Sequence, residues 1–434
     1  MKRKMYLVII ASLIFLATSF IAFAGGQAEG AKQEKITMAL WTQPNVNSER
    51  YWKPIVDEWN ASHPNIQIDW KTIPTGGSSE EVILTALATG TQPDICTNIF
   101  IGFLAQLAEN DAVVQLDKEF PDYWDVAEKA KMKNIIKKGW SINGKYYEMP
   151  MYVNTMMDWY NKGLLKKAGL AKPPRTYSEF MNAAAKVVVP GKILGANINY
   201  KTSWWSRWFD LESSYYAASG GKPYIDVKTG RLHFDDKYGR AYLNFIADLF
   251  KKKYAMPVDI KDGVLKGTVL MKHPQGPWSI KGANERFPNK PYVVAKTLVP
   301  DFVPASQPVY TFADTKGMVM FRKSKYKKQA WEFIKWYYGD INHIAKWLEE
   351  TGQAPSREDL MTNPIFQEFW KKNPEVKAYA EQIPYSLPPA PIANTVEVHN
   401  LINSELWEPI IFGKKTVDQA LNDLIPKVQA LWKK

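Results

Sequence analysis

The sequence predicts an α/β protein divided into two lobes. Strand-like and helix-like segments alternate from Ile36 onward, the pattern of helices layered on sheets. The 434 residues exceed the roughly 250 to 300 over which a single core keeps growing, so two lobes or domains are expected. With 46% hydrophobic and only 23% charged residues, the composition is that of a folded chain.

Each element has its own signal. Ile36 to Leu40 reads as a strand ending at Trp41, and the helix after it carries Tyr51, Trp52, Ile55, Val56 and Trp59 on one face until Pro64 stops it. Ile66, Ile68 and Trp70 alternate as a second strand. Ser79 is placed to cap a helix bearing Val82, Ile83, Ala86 and Leu87, with Gly90 as its stop. Ile95 opens a third strand after the turn Gln92-Pro93-Asp94. Asn143-Gly144 between alternating residues is a type I′ hairpin signal. Val153 to Tyr160 reads as one further strand, and Asn161 begins a helix. Thr176 with Glu179, and Thr416 with Gln419, are capping boxes. Ser324 precedes a helix with Ala330, Phe333, Ile334 and Tyr337 on one face, and the chain beyond Gly352 turns helical with prolines between.

The first segment bears on the compartment. Lys2, Arg3 and Lys4 precede an uncharged apolar run from Met5 to Ala24, and Ala22-Phe23-Ala24 is a small-x-small cleavage site. Residues 1–24 are therefore expected to be a signal peptide cleaved after Ala24, with 25–35 a linker. The run is also long enough to span a bilayer, so a retained anchor is the alternative. A lipoprotein signal would need a cysteine at the cleavage point, and the one Cys of the chain is Cys96. A single cysteine also excludes an internal disulfide framework, which suits a Gram-negative-type periplasm.

The formal charge of +12 raises nucleic-acid binding. The lysines, however, fall in scattered clusters such as Lys137-Lys138, Lys251 to Lys253 and Lys371-Lys372 rather than in one stripe interleaved with aromatics, so no nucleic-acid partner is expected.

Catalytic signals are weak. The five histidines lack ligand spacing, so no metal site and no cofactor are expected. Gly139 to Lys145 has the spacing of a phosphate loop, but Tyr146 stands where the metal-binding hydroxyl belongs, and the Asn-Gly hairpin accounts for the same residues. No G-x-S-x-G elbow is present. Two distant carboxylates can still assemble a glycosidase, which keeps a secreted glycan-processing enzyme as the alternative.

Three ordered clusters carry a resemblance. They are Leu84, Ala86 to Ala88, Gly90 and Gln92-Pro93-Asp94-Ile95; then Trp159-Tyr160-Asn161-Lys162, Leu164-Leu165, Gly169-Leu170 and Pro173 to Tyr177; then Gly267, Met271 and Gly276-Pro277-Trp278. Lys316-Gly317, Ala330 to Phe333, Gly352 with Pro355, and Thr416 to Leu421 complete the series. Over residues 36 to 434 the chain resembles the carbohydrate-binding, maltose-binding-like solute-binding proteins of ABC transporters. The resemblance implies a two-lobed periplasmic-binding-protein (type II, clam-shell) fold with a ligand cleft between lobes. It places residues 36–150 and 297–350 in lobe one, and 151–296 and 351–434 in lobe two, with crossings near Glu148 to Tyr152, Thr297 to Asp301 and Thr351 to Pro355. It implies a monomeric periplasmic binding component, not an enzyme, that captures a neutral mono- or oligosaccharide and delivers it to membrane permease subunits. A non-sugar ligand such as a polyamine, peptide or anion is a further alternative on the same fold.

The ligand residues follow from strand ends and from the resemblance together. Ligands of open α/β sheets collect at carboxyl ends of strands, which places Trp41, Gln43, Asn45 and Asn98 at the cleft. Asn154 matches a family position for a polar sugar contact, though relatives often carry an acid there. Trp278 ends the Gly-Pro-Trp loop and suits the C–H face of a sugar ring. Trp204, Trp205 and Trp208 fall where the family places another aromatic, with at most two expected to face the cleft. Asp314 is placed either to take a pair of sugar hydroxyls or on a solvated turn. No aromatic stands in Asn394 to Asn400, which argues for a ligand arrangement unlike that of the long malto-oligosaccharide binders. The aromatic content of 13%, with 17 Trp, is thereby divided between core and cleft.

Overall fold

The computed structural model describes residues 35–74 and 78–433, so the N-terminal apolar run, the cleavage site after Ala24 and the linker up to residue 34 lie outside the described residues. Among the described residues ten strands form two sheets. The first joins β1 (Ile36–Thr42), β2 (Ile66–Thr72), β3 (Ile95–Ile99), β4 (Glu148–Thr155), β9 (Thr311–Met320) and β10 (Ser386–Leu387) in the order β10-β9-β3-β1-β2, with β4 also on β9. The second has the order β6-β7-β5-β8, from β5 (Met157–Asn161), β6 (Leu194–Ile198), β7 (Val269–Gln275) and β8 (Tyr292–Ala295). In the first sheet β2, β1 and β3 are parallel while β9 runs antiparallel to β3 and β4. In the second, β6 and β7 are parallel and β5 is antiparallel to both neighbours.

The residues predicted to stripe the first helix pack the first sheet. Helix α1 (Val46–Ser62) buries Tyr51, Trp52, Ile55, Val56 and Trp59. Its Tyr51 hydroxyl bonds to the Tyr337 hydroxyl and to the His343 carbonyl, both at 3.0 Å, which ties α1 to the helices Lys327–Gly339 and Ile341–Thr351. The cap of α2 (Ser79–Thr89) is Ser78 rather than Ser79, because Glu81 stands three residues after Ser78 and completes a capping box with it. That frees the Ser79 hydroxyl to accept from Asn98 Nδ2 at 2.9 Å. Gly90 ends α2 in the left-handed conformation, at φ 74°. Thr176 and Thr416 cap their helices with the expected reciprocal bonds. The Asn143-Gly144 hairpin forms, both residues at positive φ, 51° and 75°.

One predicted strand divides. Residues 148–155 pair with β9 in the first sheet, Met156 intervenes, and residues 157–161 pair with β7 and β8 in the second. A run buried throughout shows no periodicity change where the chain leaves one sheet for the other. The chain returns to the first sheet at β9. Before that return Val299 still bonds both Arg175 and Tyr177 on the second-sheet side, and Val303 and Val309 pack with Ala217. A further passage follows Gly352, where Val153 N donates to the Ala354 carbonyl at 2.9 Å.

Candidate functional site

The carboxyl ends of the parallel strands define one edge of each sheet. On the first sheet β1 runs out into Gln43 and β3 into Phe100, level with one another through the pairs Leu40–Ile95 and Trp41–Cys96. Because β9 is antiparallel, its early residues Phe312 to Lys316 extend past the end of β3 on that same edge, and Asn154 of β4 lies directly opposite Asp314. On the second sheet β7 ends at Gln275 and leads into Gly276-Pro277-Trp278, while β6 leads toward Trp204 to Phe209. Both edges are the ligand edges of α/β sheets.

The predicted residues take different roles there. Asn154 is fully buried, and neither its amide oxygen nor its nitrogen has a hydrogen-bond partner in the protein. Asp314 pairs with Lys316 at 3.3 Å rather than sitting on a solvated turn. The Gln43 oxygen accepts from Thr97 Oγ1 at 3.1 Å, and its buried nitrogen has no protein partner. Asn45 caps α1 by accepting from the amides of Asn47 and Ser48, and Asn98 holds Ser79, so both are occupied in fixing local structure. Trp41 and Trp278 are half-buried. Trp204 and Trp208 are buried, whereas Trp205 is 38% exposed and its ring lies at right angles to that of Trp204, 5.7 Å away.

The aromatic residues form a continuous series that the sequence reading did not contain. Trp278 lies 5.7 Å from Phe209, Phe209 6.0 Å from Phe312, Phe312 5.5 Å from Trp208, and Trp208 4.6 Å from Phe100. Phe100 then meets Trp204 at 5.5 Å. Rings from the first-sheet side (Phe100, Phe312) thus interleave with rings from the second. The missed residues lie close in sequence to ones singled out: Phe209 beside Trp208, Phe100 two residues past Asn98 and Phe312 two before Asp314.

Lys316 is the charged centre of the first-sheet edge. Its ammonium lies 4.9 Å from the Phe100 ring and 5.8 Å from Trp208. Glu80 and Glu148 also feel its charge. Burial pushes both of their carboxyls above the usual range, and Lys316 opposes that shift.

Beneath the aromatic series is a set of buried polar pairs. Arg207 and Asp210 pair at 3.1 Å, both fully buried. Glu212 Oε1 lies 2.9 Å from His399 Nε2. Burial raises the Glu212 carboxyl well above its ordinary value and, with the nearby Arg207 charge, lowers His399 to about 3. Burial thus favours the uncharged form of both groups. Ser214 Oγ, His273 and Asp158 stand in the order that activates a serine, at 3.1 and 2.7 Å. The Tyr242 hydroxyl shares His273 Nε2 at 3.2 Å and all three groups are buried, so this chain is a strut joining helix Ser213–Ser219 to β7 and β5.

The Glu212–His399 pair has a pH signature. An unfolded His399 gains a proton below pH 6.5 that the folded one does not, which removes stability as pH falls. The folded Glu212 keeps a proton above pH 4.5 that the unfolded one releases, which removes stability as pH rises. Between those values the two oppose one another. Glu212→Gln removes only the second effect, so its stability relative to the parent is expected to increase from pH 5 to pH 6, read by urea unfolding at each pH. A difference independent of pH would mean that Glu212 is ionised in the folded protein.

The two sheets and their facing polar and aromatic edges define a solute-binding protein of the type II periplasmic-binding fold. The chain belongs to the bacterial extracellular solute-binding protein family, whose sequence model matches residues 44–343. An uncharacterized Listeria monocytogenes protein has a similar solved structure, with TM-score 0.76 and 32% identity over 91% of this chain and 99% of that one. The cyclic alpha-maltosyl-1,6-maltose binding protein of Arthrobacter globiformis shares the fold at TM-score 0.74 and 20% identity, over 92% and 99% of the two chains. The sn-glycerol-3-phosphate-binding periplasmic protein of Escherichia coli is 22% identical over 422 residues, 92% of this chain and 93% of that protein. The family is one of solute-binding proteins. Among the described residues no helix is long and apolar enough to cross a membrane, and no group of three or more His, Cys, Asp and Glu is placed to hold a metal ion.

Proposed function

We propose that this protein captures a neutral saccharide by closing two lobes over it and delivers it to the permease of an importer. Lobe one is built on the first sheet and lobe two on the second, with crossings at Met156, near Val309 to Thr311, and at Gly352 to Pro355. A middle crossing later than Thr297 to Asp301 is supported by the bonds that Val299 makes to Arg175 and Tyr177. The observation that carries the reading is Asn154. A fully buried amide with both polar atoms unpartnered is costly unless something supplies the bonds, and sugar hydroxyls both donate and accept. Asp314 beside it supplies acceptors, and Trp278 with Phe209 supplies ring faces. Export after cleavage at Ala24 to the periplasm and action as a monomer complete the proposal.

An anionic ligand is the less favoured reading. Lys316, the ammonium at this edge, is matched by Asp314 at 3.3 Å and faces Glu80 and Glu148 besides. The surplus of carboxyls would favour an amine-bearing ligand only if Glu80 and Glu148 were ionised, and burial opposes that.

A thermal-shift screen of the mature chain tests this. A saccharide at a hundred times its Kd stabilises the folded state by about 2.7 kcal/mol and raises the melting temperature. Shifts with polyamines, amino acids or glycerol phosphate and none with sugars would overturn the ligand class.

A further inference from the structure

We propose that the second sheet carries a binding site for a small organic oxyanion, a carboxylate or a phosphate ester, in a cavity of about 250 Å³ beside Lys272. The strand register builds it. Lys272 of β7 is paired with Trp159 of β5 on one side and with Asn197 of β6 on the other, so neighbouring strands set these residues in a row, and all of them line the cavity. The next residue, His273, turns to the opposite face, where it joins Ser214 and Asp158. The loop 259–263 and the helix Ile280–Arg286 supply further walls. That loop is fastened to the sheet. Asn197 Nδ2 donates to the Ile260 carbonyl at 3.2 Å, and a Cβ on Gly263 would lie 2.5 Å from Val269 Cγ2 at the start of β7.

What the cavity lacks is a partner for its cation. Lys272 is half-buried, and among the described residues its ammonium has neither a hydrogen bond nor an ion pair. The nearby carboxylates are taken: Asp259 pairs with Lys201 at 3.1 Å and Asp262 with Arg286 at 2.9 Å. Burial lowers the Lys272 amine below its usual value, with Asp259 and Asp210 opposing. An oxyanion against the ammonium supplies the counter-charge and the hydrogen bonds that a buried cation needs. The surroundings favour that sign of charge, because Lys201, Lys261, Lys272 and Arg286 stand against only Asp259 and Asp262. Ile260, Val264, Leu265 and Ala283 add an apolar wall. The volume lies just below the range of ordinary small-molecule pockets, about 300 to 1,000 Å³, which leaves room for a few carbon atoms beside the charged group. Asn154, Asp314, Phe209 and Trp278 do not line this cavity, so the site is separate from the one proposed for the saccharide. Gln275 and Ser279 do line it, and they bond to one another across the Gly-Pro-Trp turn.

The test is calorimetry at low ionic strength with methyl phosphate, pyruvate, inorganic phosphate and acetate, on the mature chain and on Lys272→Met, Lys272→Gln and Trp278→Ala. Methyl phosphate or pyruvate is expected to bind the parent with a Kd below about 1 mM. Lys272→Met is expected to weaken that binding about tenfold or more, and Trp278→Ala to leave it within about twofold. Should the methionine variant fail to fold, Lys272→Gln carries the comparison. Inorganic phosphate and acetate are expected to bind more weakly than methyl phosphate and pyruvate respectively, because they leave the apolar wall bare; equal binding overturns the assignment of an organic ligand. No binding of any of the four by the parent, or an unchanged Kd in folded Lys272 variants, overturns the site. Anion binding that is lost in Trp278→Ala and kept in Lys272→Met belongs to the saccharide edge and overturns it as well. Saccharide binding is expected to be unchanged in Lys272→Met, so the failure of one site is distinguishable from the failure of the other.

Discussion

Trp278→Ala is expected to weaken binding of the preferred saccharide at least thirtyfold, a loss of about 2 kcal/mol. The indole is held from behind: a Cβ on Gly276 would lie 2.1 Å from its six-membered ring, so the Gly-Pro-Trp turn brings its own backbone against one part of the side chain. Phe209 fixes a second part from 5.7 Å. What remains exposed is a rigid apolar face with few rotamers to lose on binding, the property that makes tryptophan an effective anchor for ligands with C–H faces. Truncation removes this face without unpairing a buried charge, so the variant should melt close to the parent in the absence of ligand. Trp278→Phe keeps a smaller face and should retain part of the affinity. Isothermal titration of the three proteins settles the point, and binding by the alanine variant within threefold of the parent would remove Trp278 from the site.

Much of the framework was legible because local chemistry marks it. Gly90 reads as the end of α2 because a left-handed cap needs a residue without a Cβ, and Asn143-Gly144 reads as a hairpin because a type I′ turn needs two positive φ values. The capping boxes at Thr176 and Thr416 are four-residue patterns, readable without knowing the fold. The displacement of the α2 cap from Ser79 to Ser78 shows the limit of such patterns where two serines adjoin, until Glu81 is used to choose between them.

The residues that depend on distant partners were not legible. Trp204 and Trp208 read as cleft candidates, yet their burial is set by Phe100, more than a hundred positions earlier, and by Phe312, more than a hundred later. Asn98 and Asn45 sit at the expected strand and loop ends, but each is committed to a neighbour: Asn98 to Ser79 and Asn45 to the first turn of α1. In the sequence Lys316 reads only as part of a Lys-Gly pair. Its position between Asp314, Phe100 and Trp208 follows from β9 running antiparallel past the end of β3, a pairing that strand propensity does not specify.

Arg207→Met is expected to cost about 3 to 5 kcal/mol of stability, more than any other single change proposed here, because it leaves a buried carboxyl without its partner. The Arg207 guanidinium has three kinds of contact. It pairs with Asp210 at 3.1 Å, donates to the Asn199 and Lys201 carbonyls at 2.8 and 3.3 Å, and lies 3.9 Å from the centre of the Trp407 ring. Methionine keeps much of the packing on Trp407 and none of the bonds. Burial already raises the Asp210 carboxyl, with Arg207 opposing, so without the arginine Asp210 is driven to protonate and part of the loss is recovered at low pH. The double variant Arg207→Met, Asp210→Leu removes both charges and should regain about half of the loss, with the Asn199 and Lys201 carbonyls still lacking this donor. Asp210 lies in the π-helical turn Trp208–Glu212, which positions Trp208 and Phe209. The single variant should therefore lose saccharide affinity along with stability. Urea unfolding measured with and without saccharide separates the two effects. If Arg207→Met unfolds within 1 kcal/mol of the parent, the pair is not what holds Trp208 and Phe209 in place.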